Sequence, residues 1–270
     1  SSTGNDYRLL DVLSVPAVLG EVLADVPEGP CAVIDRMTTI RVKLTRGALE
    51  SITEDALLAG GNLAALGDGS AANWELVQFQ TATLVGDRTY ELTGLLRGQA
   101  GSDAIMPDAW AAGSVFVLLD GAQKQLELSS SARNVAQYFR IGPSGRSYDD
   151  PSYKQYVEAF TGIGLRPYAP GHLTAKELGG DLEVSWIRRT RIDGDLWDTP
   201  DVPLGEAFEK YRVRVQQGSM LLREEEVGSP EWTYGAAARA ADEVIGPVKI
   251  HVAQISEKFG AGAEASSEVA

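Results

Sequence analysis

The sequence predicts a mainly β protein in two parts, an N-terminal β-rich domain with a short helix and a C-terminal β-sandwich of the immunoglobulin-like kind. Three observations carry this prediction. Leu182, Val184 and Trp186 alternate with Glu183, Ser185 and Ile187, and Tyr211, Val213 and Val215 alternate with Arg212, Arg214 and Gln216, so two strands flank an acidic, Trp-bearing loop between Gly180 and Val215. Five or more apolar segments, separated by Gly, Pro and Asp turns, fall within roughly 90 residues after Arg166, the strand spacing of a small sandwich. The first half repeats the same period of two, interrupted once by a helical pattern.

Residues 1–30 read as a lead-in segment. Its apolar patches, Leu9–Leu13 and Val18–Leu23, are separated by Pro16 and closed by Pro27 and Pro30, which leaves room for one brief helix or strand. The β-rich domain is expected over 31–128. Ala32–Ile34 opens it as a strand, and Ile40, Val42 and Leu44 then alternate with Arg41, Lys43 and Thr45. LESITEDALLAGGN predicts a short helix capped by Ser51 or Thr53 and stopped at Gly60 and Gly61, before a turn at Gly67–Gly69. Glu75–Leu84 and Thr89–Leu95 pair as a hairpin around Val85–Arg88, where Gly86 supplies the positive φ of a primed turn. Ser114–Leu119 is an apolar run suited to a strand buried on both faces, and Gln125–Leu128 reads as one more strand.

Residues 129–165 read as a linker, rich in Gly, Pro and Ser at IGPSGRSYDDPS. Tyr148, Tyr153, Tyr156 and Phe160 are expected to pack their rings on neighbouring domains; the other reading is an aromatic ligand platform. The sandwich is expected over 166–258. APGHLTA leads into DLEVSWIRR, KYRVRVQQ, SMLLREE, EWTYGAA and VKIHVAQIS, and Gly180–Val215 forms one edge. Residues 259–270, poor in large apolar side chains, are expected to be a flexible C-terminal tail.

Composition narrows the function. At 270 residues and 44% hydrophobic the chain is long enough for a real core, and its formal net charge of −14 argues against general binding to DNA or RNA phosphates. Cys31 is the single cysteine, so no intrachain disulfide forms, which fits assembly in a reducing cytoplasm. No apolar run is long enough to span a membrane, and SSTGNDYRLLDVL lacks the charged and apolar regions of a signal peptide. The missing initiator Met points to a piece of a longer protein.

Catalytic signatures are not found. His172 and His251 lie far apart, there is no HExxH, no GxSxG and no Cys/His grouping at ligand spacing, so no catalytic residue, metal or cofactor is expected and the chain reads as non-enzymatic. Gly260 and Gly262 lack the third glycine and following helix of a dinucleotide loop. Asp193, Asp195, Asp198 and Asp201 cluster around Trp197. Three readings stand: a solvated loop whose aspartates form turns, a sugar- or partner-binding tip with Trp197 as stacking platform and Asp195 and Asp198 as hydrogen-bond acceptors, or a calcium site that departs from EF-hand spacing. A glycosidase-like carboxylate pair in this loop is not excluded by sequence. The basic run Arg188–Arg191 is expected to pair with Asp193, Asp195 or Glu224–Glu226 rather than with phosphate.

LRPYAPGHLTA, GDLEVSWIRRTRIDGDLWDTPDVPLGE and EKYRVRV resemble the C-terminal region of the large baseplate ("megatron") protein of gene transfer agents and of related phage tail-tip proteins. WELVQFQTATLVGDRTYELTGLLRGQAGSD, Trp74–Asp103, resembles a second segment of that family, in which a strand pair ends in a Leu-Leu-Arg-Gly corner. The resemblance covers most of Ala32–Gly262 and implies a fibronectin type III-like sandwich. Val248 stands where such domains commonly place a tyrosine, so their tyrosine corner is expected to be missing. The resemblance further implies a structural tail component that is part of a larger protein, with hub and distal tail proteins as partners, a homotrimer about the tail axis and a host-envelope contact. The alternative function is recognition of a host surface polysaccharide.

Overall fold

The computed structural model describes residues 1, 3–192, 194 and 202–269. They divide into a unit of residues 1–99 and 105–162 and a unit of residues 100–104 and 163 onward, and the fold is mainly β in both.

In the first unit the strands are β1 (Leu19–Val22), β2 (Val26–Pro27), β3 (Ile40–Arg46), β4 (Leu63–Gly67), β5 (Trp74–Gly86), β6 (Thr89–Leu96), β7 (Ala109–Trp110) and β8 (Val115–Leu118), with α1 (Glu54–Leu58) between β3 and β4. They close a barrel in the order β1-β3-β6-β5-β4-β8, every neighbouring pair antiparallel, while β2 and β7 form a separate two-stranded ribbon. Closure follows from patterning. Ile40, Val42, Leu44, Val77, Phe79, Leu92 and Phe116 all point inward and are buried, each side chain contributing about 1.5–3 kcal/mol, and a closed barrel leaves no bare edge. Gly20 lies so close to the Lys43 carbonyl of β3 that no Cβ fits, and the β1–β3 register shifts there.

The predicted helix is short. Thr53 caps it, its side chain accepting from the Ala56 N–H at 3.2 Å, and Gln78 of β5 donates to the Leu57 carbonyl at its other end. Several expectations are corrected. The lead-in segment contributes β1, because the apolar face of Val18–Val22 completes the barrel. Ala32–Ile34 is not a strand; Ala32 has φ of 62°, and only Cys31 and Asp35 make single bridges to β6 or its end. LAALG, which sequence assigned to no element between the helix stop at Gly60–Gly61 and the turn at Gly67–Gly69, is β4, and Gln125–Leu128 is not a strand. In the β5–β6 hairpin Gly86 pairs with Thr89, and the left-handed residue is Arg88, at φ of 47°.

The expected linker carries a hairpin of β9 (Gln137–Ile141) and β10 (Lys154–Glu158) within the first unit. Its aromatics meet one another: Phe139 and Phe160 are edge to face at 6.0 Å, and the Arg140 guanidinium lies 5.2 Å from the Tyr7 ring and 6.0 Å from that of Tyr148.

The second unit is a sandwich of β11 (Gly171–Leu178), β12 (Asp181–Ile187), β13 (Tyr211–Gln217), β14 (Met220–Val227), β15 (Glu231–Tyr234), β16 (Val248–Ser256) and β17 (Gly260–Val269), with α2 (Ala236–Ala241) after β15. One sheet has the order β11-β12-β15 and the other β14-β13-β16-β17. Gly180–Val215 is therefore not one edge: β12 and β13 are inner strands of opposite sheets, because both bury alternate large residues against each other. The expected flexible tail is β17, paired with β16 from Val248↔Val269 to Ser256↔Gly260. Its composition carries no strand signal, and the ladder to β16 supplies what side chains do not. Gly262 is required there, since a Cβ would collide with the Pro167 backbone. Among the described residues no helix is long and apolar enough to cross a membrane.

Candidate functional site

The strand pairing places the β12–β13 and β16–β17 connections at one pole of the sandwich. This is the pole at which the chain enters β11, since Gly171 pairs with Ile187 at the end of β12. The β11–β12, β13–β14 and β15–β16 connections form the other pole. Asp195, Trp197 and Asp198, with Asp193 and Asp201, lie outside the described residues. The flanks of their loop are described and are tied down by the basic run.

Each of the three arginines in that run has its own carboxylate. Arg188 meets Glu209 at 3.2 Å and donates to the Val202 carbonyl at 2.7 Å, so it stitches the two flanks together. Arg189 pairs with Asp103 at 3.0 Å, and its guanidinium lies 5.1 Å from the Tyr168 ring. Arg191 pairs with Glu206 at 2.5 Å. Pairing was expected, but not with these partners: Glu225 and Glu226 of β14 are taken by Arg223 and Lys210. The pairs near β13 are local to the loop because Arg188 and Arg191 leave β12 where the chain turns toward the opposite sheet.

Between this flank and the β16–β17 turn lies a cleft of about 350 Å³. Arg191, Gly205 and Glu206 line one side and Glu257, Lys258 and Phe259 the other. The Arg191 guanidinium and the Lys258 ammonium each lie 5.4 Å from the Phe259 ring, so an aromatic floor is flanked by two cations and two carboxylates. Such a lining can exchange ion pairs and hydrogen bonds with a polar partner. Phe259 was missed by sequence because 259–270 read as a tail.

The opposite pole is held by a polar network. Tyr234 donates to Asp242 at 2.5 Å, Arg223 grips both oxygens of Asp242 at 2.6 and 3.0 Å, and Trp232 donates to Glu225 at 3.0 Å while stacking on Tyr234 at 5.2 Å. The missing tyrosine at Val248 is thus replaced at this corner by Tyr234, which anchors the end of α2 to β15. Burial and the bond to Asp242 push the Tyr234 hydroxyl up to about 12. The Arg223 and Tyr234 hydrogen bonds hold Asp242 below the usual carboxylate range, and those from Trp232 and Arg223 do the same for Glu225.

On the outer face of the larger sheet Arg212, Arg214 and His251 gather around Glu264, with His251 Nδ1 at 3.6 Å. Burial lowers the His251 pKa, against the pull of Glu264.

The barrel holds the other feature sequence did not single out. Arg97 and Glu75 are fully buried and pair side-on, Nε and Nη2 each donating to one carboxylate oxygen, at 2.5 and 2.9 Å; Trp110 Nε1 and the Gly98 N–H also donate to Glu75, and Arg97 Nη1 donates to the Pro27 carbonyl. The signal was available: Glu75 shares the inward face of β5 with Val77 and Phe79, and a carboxylate there demands a cation.

A family model described as "Rcc01698-like, C-terminal" matches residues 17–117, from just before β1 into β8. No curated protein matches the chain. Among solved structures, the rat CD45 extracellular region, domains d3–d4, is similar at 10% identity and a TM-score of 0.28, over 56% of this chain and 71% of that one. The chicken CNTN1 FN1–FN3 domains are similar at 12% identity and a TM-score of 0.27, over 92% of this chain and 64% of that one.

Proposed function

We propose that the chain is a structural, non-enzymatic component of the tail baseplate or tail tip of a phage-like particle of the gene transfer agent type. It forms a peripheral C-terminal part of a larger protein that takes part in tail assembly and host-envelope contact. The observation that carries this reading is the match of residues 17–117 to the Rcc01698-like family. Within that span, the Leu-Leu-Arg-Gly corner that resembles the large baseplate protein supplies Arg97, whose pair with Glu75 ties β5 and β6 to the β2–β7 ribbon. On this reading the protein assembles in the bacterial cytoplasm with hub and distal tail proteins, as a homotrimer about the tail axis, and leaves the cell in the particle. Cryo-EM of intact particles tests it. Density for both units at the distal end of the tail is the expected result, and density elsewhere sinks the idea.

A second reading, recognition of host surface polysaccharide, is favoured by the cleft beside the flanks of the acidic loop. Glycan binding by the chain should weaken on Trp197→Ala and on Phe259→Ala. Binding unchanged in both variants removes this reading and leaves the first untouched.

A further inference from the structure

The β9–β10 hairpin is a two-stranded sheet, which by itself is marginal in water. Its β9 edge is already taken. The Ser1 amino group donates to the Tyr138 carbonyl at 3.0 Å, and the Tyr138 N–H donates to the Ser1 carbonyl at 2.8 Å. Because Tyr138 spends both backbone groups on that side, its partner Val157 is in a non-hydrogen-bonded pair with it, and the N–H and C=O of Val157 point away from β9. Two residues along, Gln155 points the same way. The outer edge of β10 therefore presents four backbone groups, on a strand whose Tyr156 and Val157 are 43% and 48% exposed.

The sequence of this strand, Lys154-Gln155-Tyr156-Val157-Glu158, is complementary to itself when run antiparallel about its centre. Lys154 faces Glu158 of the second copy, Gln155 faces Val157, and Tyr156 meets its own counterpart on the axis. Gln155 and Val157 are the residues with outward backbone groups, so the register that matches the charges also matches the hydrogen bonds. Lys154, Tyr156 and Glu158 share one face of the sheet, which places both opposite-charge pairs and the tyrosine pair side by side. Neither Lys154 nor Glu158 has an ion-pair partner among the described residues.

The geometry points to β10 as a two-fold pairing edge that joins two copies of this chain into one four-stranded sheet. The occupant is a second copy because the charges at the two ends of the strand are opposite and equidistant from Tyr156, the condition an isologous contact imposes. A five-residue strand buries much less than the roughly 1,200 Å² of a stable standard interface, so the pairing is weak and concentration-dependent. It does not depend on the particle assignment. A two-fold contact cannot be one of the contacts around a three-fold ring, so in a trimeric tail it would join chains of different trimers.

Sedimentation equilibrium of the whole chain over a concentration series tests this. The chain should dimerise. Lys154→Glu and Glu158→Lys should each weaken the dimer about tenfold or more, since each sets two like-charge pairs face to face, and the double exchange should restore it to within about threefold. Val157→Pro removes an outward N–H that β9 does not use and should abolish the dimer. If that variant loses its folded circular dichroism, the charge exchange still decides. A chain that stays monomeric at every concentration overturns the proposal, as does a dimer indifferent to both single charge reversals.

Discussion

Trp186 and Tyr211 meet edge to face across the two sheets of the sandwich, ring centroids 5.1 Å apart and planes at 73°. They are the last large inward residue of β12 and the first of β13, so the acidic loop springs from a buried aromatic clasp. Tyr211 also donates to Glu209 at 2.8 Å, and Glu209 holds Arg188 on the other flank. Trp186→Ala should cost about 3–5 kcal/mol in urea denaturation, and Trp186→Phe clearly less. Equal losses for the two variants would show that a ring retained against Tyr211 contributes nothing.

The Glu75–Arg97 pair should behave as a buried ion pair. Arg97→Met or Glu75→Leu alone strands a charge and should cost about 3–5 kcal/mol, whereas the double variant should be less destabilised than either single one. A thermal-unfolding double-mutant cycle reads the difference, and simple additivity would refute it.

Acid should loosen the far pole of the sandwich first. Asp242 and Glu225 have lowered folded pKa values, so their contribution is present above the ordinary carboxylate range and is lost as pH falls through the folded values. Asp242→Asn should therefore cost about 1–3 kcal/mol at neutral pH and flatten the acid limb of a stability–pH profile. At the alkaline end Tyr234, raised to about 12, contributes stability that is complete below the unfolded value near 10 and lost as pH rises between the two. Tyr234→Phe should remove that alkaline loss.

His251 adds a smaller slope of the same sign as the carboxylates. Its folded pKa is lowered, so protonation below about 6.5 favours the unfolded chain. His251→Gln should reduce the decline in melting temperature between neutral and mildly acid pH. Identical profiles for the two proteins would mean that burial of the imidazole is not felt.

Gly262→Ala should destabilise the sandwich by about 1–3 kcal/mol, because its methyl group would press into the Pro167 backbone. Differential scanning calorimetry of the variant checks whether β17 belongs to the cooperative unit. An unchanged sandwich transition would restore the reading of residues 259–270 as a tail.

Where side chains alternate, the strands were legible. Ile40, Val42 and Leu44, and Leu182, Val184 and Trp186, face inward as their spacing demands, and Thr53 caps the helix as its side chain allows. Two missed strands share one cause. β4 and β17 carry small or unpatterned residues, Ala64 and Gly262 among them, and exist because a neighbouring strand offers a hydrogen-bonding edge. At the candidate site the charges of Arg188, Arg189 and Arg191 were legible, as was their need for carboxylates. Which carboxylates was not, since Glu209, Asp103 and Glu206 are brought within reach only by the crossing from one sheet to the other.

The sequence by itself determined the β class and the inward faces of the patterned strands, because a period of two is a local property of the chain. It also determined the acidic balance and the presence of an aromatic, carboxylate-rich loop between two strands. Only the tertiary structure decided that those strands belong to opposite sheets, that Glu75 finds Arg97 in the barrel, and that Phe259 faces Arg191 across a cleft. These are pairings between residues distant in sequence, and chain closure through backbone ladders, rather than any local pattern, selects them.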